Sequence, residues 1–148
     1  MPPTKYLTSE PFDESHPLHA VAATSAVCAE ADEQELITRH ERNDAIRQAW
    51  ESGVTVAELT RASGLSRHSI YKMIDTSQTR PVVDQDADAV QAVSAAASAF
   101  SAAEWRATEA RDERDAAIRH AAASGLSKAS IARAAGITAR TVFLIIRR

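Results

Sequence analysis

Apolar residues recur at helical intervals through most of the chain. Leu18, Val21, Ser25 and Cys28 make an early stripe, and Val90, Val93, Ala97, Phe100, Ala107 and Ile118 make a longer one. Such spacing keeps side chains on one face of a helix. The stripes are narrow, as in a helix that pairs with another. The second lies in a stretch free of Gly and Pro from Asp86 to Ser124, and one helix of that length is roughly 55–60 Å long. In the first, His16-Pro17 predicts a helix start with Pro in the first turn. The acidic cluster Glu30, Asp32, Glu33 and Glu35 leaves open whether that helix runs on or breaks in two. Gly53 and Gly125 suit left-handed caps at the ends of the long helices. Two short helices follow, "TVAELTRAS" and "SKASIARAA", opened by Thr55 and Ser127. Thr55 with Glu58 has capping-box spacing. Gly64 and Gly136 mark the next turns, and Ser66 and Thr138 cap the last helices.

These parallels are a tandem duplication. "RHERNDAIRQAWESGVTVAELTRASGLSRHSIYKMI" at 39–74 aligns without a gap on "RDERDAAIRHAAASGLSKASIARAAGITARTVFLII" at 111–146, an offset of 72 residues. All four glycines of the chain fall on matched positions, Gly53 with Gly125 and Gly64 with Gly136. Matched glycines imply matched turns. Upstream the register persists: Leu18 faces Val90, Val21 faces Val93 and Cys28 faces Phe100. The predicted organisation is a flexible arm at 1–16, a first repeat at 17–76, a linker at 77–88 containing Pro81, and a second repeat at 89–148.

Composition agrees with helix. The chain has 148 residues, four Gly, five Pro and only 5% aromatics, which disfavours a β sandwich or barrel. The single cysteine excludes an intrachain disulfide and fits a reducing cytoplasm. No apolar run reaches the length of a membrane span, and no basic-then-apolar signal opens the sequence. The expectation is a cytoplasmic, nucleoid-associated protein. Net charge is −3, but its distribution is uneven. Residues 1–38 carry net −6, 39–80 net +2, 81–110 net −4 and 111–148 net +5. The basic segments are the two that carry the repeated motif.

Helix, glycine turn, helix is the arrangement of a helix-turn-helix. Apolar spacing agrees: Ile131 and small Ala132 precede the turn, and Ile137, Val142 and Ile145 follow it. Leu59, Thr60, Leu65, Ile70 and Met73 are the first repeat's counterparts. The motif resembles the helix-turn-helix of bacterial and phage regulators and of the DNA-binding end of serine recombinases. The stretch "RDERDAAIRHAAASGLSKASIARAAGITARTV" at 111–142 is more specifically similar to small actinobacterial and phage helix-turn-helix proteins. The resemblance covers about half of the chain. It implies an all-α fold of two tandem helix-turn-helix units, each preceded by a long helix.

The same resemblance implies that the second helix of each motif enters the major groove and reads bases with its early exposed residues. Carried over by position, Arg67, His68, Tyr71 and Lys72 face DNA in the first repeat. Arg67 or His68 suits guanine N7 and O6, and Lys72 a base or a phosphate. In the second repeat, Arg140 and Thr141 suit DNA, flanked by Arg147 and Arg148. Thr55, Ser66, Ser127 and Thr138 sit at helix N-termini, where hydroxyl and N–H groups suit phosphate. Phe143 and Leu144 stand where the first repeat has Tyr71 and Lys72. With "TVFLII" apolar nearly all round, that helix is expected to be largely buried. Phe143 and Leu144 fit either a thymine methyl or a protein contact such as a dimer seam.

Other constellations are weaker. His16 and His19 lack further ligands at metal spacing, Cys28 suits the core, and Trp50 and Trp105 suit packing of the long helices. No phosphate-binding glycine loop and no nucleophile–base pattern is present, and nothing points to a cofactor, a metal or a small-molecule ligand. The expected partner is double-stranded DNA, with a homodimer through the long helices open. The predicted function is a non-enzymatic, sequence-specific DNA-binding protein, a transcriptional regulator of phage or mobile-element origin. The alternative is an assembly or adaptor protein, like a partition protein or a terminase small subunit, that uses its long helices and apolar last helix for protein contacts.

Overall fold

A computed structural model of the chain describes residues 16–80 and 86–148. The fold is all-α, with no strand among the described residues. Helix α1 (Pro17–Glu51) is followed by α2 (Val56–Ser63) and α3 (Arg67–Met73), then α4 (Ala87–Ala123), α5 (Lys128–Ala135) and α6 (Ala139–Arg147). Helix α1 is continuous: the acidic cluster does not break it. Its carboxylates fall on both exposed and enclosed positions, and Glu35 is tied to Arg39 at 2.6 Å across one helical turn. The expected arm lies outside the described residues except for His16, whose Nδ1 accepts from the Leu18 N–H at the start of α1. Asp86 opens α4, its Oδ1 accepting from Ala89 N–H at 3.0 Å, so the helix begins inside the span expected for the linker. Among the described residues, no single helix is long and apolar enough to cross a membrane.

Two compact units form, and neither coincides with one sequence repeat. One joins Ala110–Arg148 to the described part of Met1–Cys28; the other is Ala29–Glu109. Each long helix therefore contributes its two ends to different units. The enclosed positions on these helices recur every seven residues. They are Val21, Cys28, Glu35, Arg42 and Ala49 on α1, and Val93, Phe100, Ala107, Arg114 and Ala121 on α4, every pair offset by 72. A seven-residue seam makes each helix a partner for another helix.

In the unit Ala29–Glu109, Ile46 and Ala49 of α1, Val54, Leu59 of α2, and Ile70 and Ile74 pack with Val93 of α4. The last of these belongs to the second repeat. In the other unit, Ile118, Ala121, Ile131, Ala132, Val142 and Ile145 pack with Val21 from the first repeat. Val21 and Val93 occupy matched positions and are both fully buried. The beginning of each long helix thus closes the core beneath the other repeat's short helices.

The seam is apolar at its ends and carries charged residues between them, Glu35 and Arg42 on α1 and Arg114 on α4. In Ala29–Glu109, Arg42 is 9% exposed, and its guanidinium lies 4.3 Å from the Phe100 ring centroid. Its Nε and Nη2 donate to Asn43 Oδ1 at 3.2 and 3.0 Å. Burial, then the neighbouring Arg39 cation, lowers the Arg42 pKa from its ordinary value. The other unit repeats the device: Arg114 donates to Asp115 Oδ1 at 3.0 and 2.7 Å and to Cys28 Sγ at 3.5 Å. Cys28 is buried, as its place on the stripe predicts. Trp105 is not: it is 64% exposed and points away from the seam it was expected to pack.

Candidate nucleic-acid interface

Each pair of short helices is built by local chemistry. Ser66 caps α3 in extended backbone (φ −68°, ψ 155°), its side chain accepting from Ser69 N–H. Thr138 caps α6 in the same way, accepting from Thr141 N–H (φ −77°, ψ 152°). The preceding helices end at Gly64 (φ 72°) and Gly136 (φ 68°), both left-handed. That conformation is open to glycine and costly for residues with a Cβ. The chain bends by 106° between α5 and α6, within the range of a helix-turn-helix.

Ile70 of α3 is fully buried, while Leu65 before the helix and Met73 at its end are half-buried. Helical periodicity then turns Arg67, His68, Tyr71 and Lys72 outward, and all four are exposed. They form one face of one short helix. Two features hold that helix from behind. Trp50 Nε1 donates to Asp75 O at 3.0 Å, just past α3. Arg80 stacks on Trp50, Cζ 3.1 Å from the ring centroid, and its Nη1 donates to Trp50 O and Val54 O at 3.0 and 2.9 Å. Sequence reasoning missed this strap, because its partners lie 25 to 30 residues apart and the second repeat has no counterpart of either residue.

On α6, Val142 and Ile145 face the core, whereas Ala139, Arg140, Phe143, Leu144 and Arg147 are exposed, as is Arg148 beyond the helix. The helix is not buried all round as its composition suggested: Phe143 is 37% and Leu144 48% exposed. Lys128 Nζ lies 4.8 Å from the Phe143 ring centroid and Arg147 Cζ 5.2 Å. Lys128 was overlooked in the sequence, although it is the first residue of α5 in a segment where no acid follows Asp115. Thr141 stands apart from the outward face, half-buried, with its hydroxyl 2.9 Å from that of Thr138.

The N-termini of α2 and α5 differ in charge. Thr55 N–H and Oγ1 both donate to Glu58 Oε2, at 3.0 and 2.9 Å, and Glu58 N–H returns a bond to Thr55 Oγ1. These donations hold the Glu58 carboxyl below its ordinary range. Thr55 is therefore occupied by an anion of the chain itself, which opposes its expected contact with phosphate. Ser127 instead meets Ser130, whose N–H donates to Ser127 Oγ at 3.1 Å while the two hydroxyls lie 2.9 Å apart. The first turn of α5 carries no acidic residue, and Lys128 adjoins Ser127.

Among the described residues, no group of three or more His, Cys, Asp or Glu converges to hold a metal. No protein-family model matches the chain, and neither curated proteins nor solved structures give a significant match.

Proposed function

We propose that the chain binds double-stranded DNA in a sequence-specific manner, using α3 and α6 as the two reading helices. The observation that carries this reading is the outward face of α3. Arg67, His68, Tyr71 and Lys72 stand exposed on a helix capped at its start and strapped behind its end. Donors on such a face suit base edges in the major groove. The basic charge of the segment that carries α5 and α6 supports it further, since phosphate neutralisation supplies much of DNA affinity. The likeness of 111–142 to small phage and actinobacterial helix-turn-helix proteins favours a transcriptional regulator of phage or mobile-element origin.

A second reading, an assembly or adaptor protein, draws on the exposure of Phe143 and Leu144. Selection from a random duplex pool at two salt concentrations separates the two. The DNA reading expects enriched sequence elements and binding that weakens steeply with salt. No enrichment, with little binding at either salt, would move the reading to the adaptor.

A further inference from the structure

We infer that α6 recognises thymine through the 5-methyl group, with Phe143 and Leu144 as the contacting side chains; this rests on the DNA-binding reading and names the base class of its second helix. The first observation is the exchange of chemistry between matched positions. Tyr71 and Lys72 on α3 become Phe143 and Leu144 on α6, so the second face loses the hydrogen-bonding groups at these two positions and stays exposed there. The second is what surrounds the exposed ring. The Lys128 ammonium and the Arg147 guanidinium stand 4.8 and 5.2 Å from the Phe143 centroid.

Those cations decide what can cover the ring. An apolar protein surface closing on Phe143 would strip water from both charges and give them no partner, which costs more than burial of one aromatic ring returns. Duplex DNA has no such conflict. Its phosphates accept the flanking cations, and the floor of its major groove offers one apolar group, the thymine methyl. The charge of the segment complements that ligand: residues 116–148 contain six Lys and Arg and no Asp or Glu. Arg140, exposed one turn earlier on α6, remains available to a phosphate or a guanine.

The test uses the full chain and the tightest duplex recovered from a random pool, prepared with deoxythymidine or with deoxyuridine, which lacks only the methyl. Replacement should weaken binding about fourfold for each methyl contacted, the transfer value of one buried carbon. In Phe143→Ala/Leu144→Ala protein that loss should vanish while the salt dependence stays, because Lys128, Arg140 and Arg147 remain. Arg67→Ala protein should retain the loss, since its change lies on α3. Equal binding of the two duplexes by the unaltered chain would overturn the inference. So would a methyl effect that persists undiminished in the double variant, with circular dichroism confirming its helices. Should that variant not fold, Leu144→Ala alone should lower the methyl effect, and an unchanged effect would count against the inference. Failure to bind any duplex would instead remove the DNA-binding reading on which the inference stands.

Discussion

At the residue scale, the two helix pairs share a frame and differ in charge where a partner would be met. Arg67 is exposed, and among the described residues no ion pair or side-chain hydrogen bond holds it. Its guanidinium is free to adopt the bidentate geometry that guanine requires. Arg67→Ala is expected to cost about 1–3 kcal/mol on the preferred duplex and to relax preference at one position. Titration against sequence variants checks this: uniform weakening on all sequences would make Arg67 a phosphate contact. Glu58 acts in the opposite sense. Its carboxylate is favoured in the folded chain by the Thr55 donors, so its pKa lies below the ordinary 4.5. Its contribution is complete above that ordinary value and is lost as pH falls through the lowered folded-state value. Asp75, whose carboxylate accepts from Ser77 N–H and Oγ, behaves alike. Melting temperature should fall with acidification below the ordinary carboxyl range, and Glu58→Gln should reduce that dependence. The same variant removes an anion from the first turn of α2 and should raise DNA affinity at low salt.

At the scale of elements, the short helices owe their geometry to contacts within four residues of chain. Ser66, Ser127 and Thr138 each accept from the N–H three residues on. Sequence spacing alone reveals such caps, because the hydrogen-bond ring is local. The glycine turns were equally legible, as φ values of 72° and 68° exclude most other residues without strain. Nothing lies within 4 Å of a Cβ built on Gly136. Gly136→Ala therefore changes backbone strain alone and should destabilise by about 1–2 kcal/mol. Urea unfolding tests this, and a neutral result would show that the turn relaxes freely. The long helices were legible in extent but not in surroundings. Trp105 carries a large aromatic side chain, yet the buried positions on either side of it are Ala103 and Ala107, and helical phase leaves it outside. Residue type suggested packing; helical phase decided exposure.

At the scale of the molecule, the two repeats are covalently joined but not independently complete. Val93 from the second repeat sits in the core with Ile46, Leu59 and Ile70, and Val21 from the first sits with Ile118, Ile131 and Val142. A chain of either repeat alone would leave such a core open on one side. Cleavage between Arg80 and Asp86 should therefore yield two fragments with little stable helix when separate. Mixing them should restore helicity with one-to-one stoichiometry, measured by circular dichroism titration. A fragment that folds cooperatively alone would show that its own short helices suffice.

The sequence by itself determined the short helices, their caps, their left-handed turns and the residues of the outward face of α3. These depend on neighbours within a turn or two of chain, where residue type and spacing carry the physics. The tertiary structure alone decided which segment completes which core. Duplication writes the same seam into both long helices, so pattern cannot distinguish pairing within a repeat from pairing across repeats. That choice depends on packing between residues far apart in the chain: Val21 shares a core with Ile118 and Ala121, and Val93 with Ile46 and Ala49. The exposure of Phe143 and Leu144 was hidden for the same reason. A helix apolar all round is silent on which side meets the core until Val142 and Ile145 are seated there.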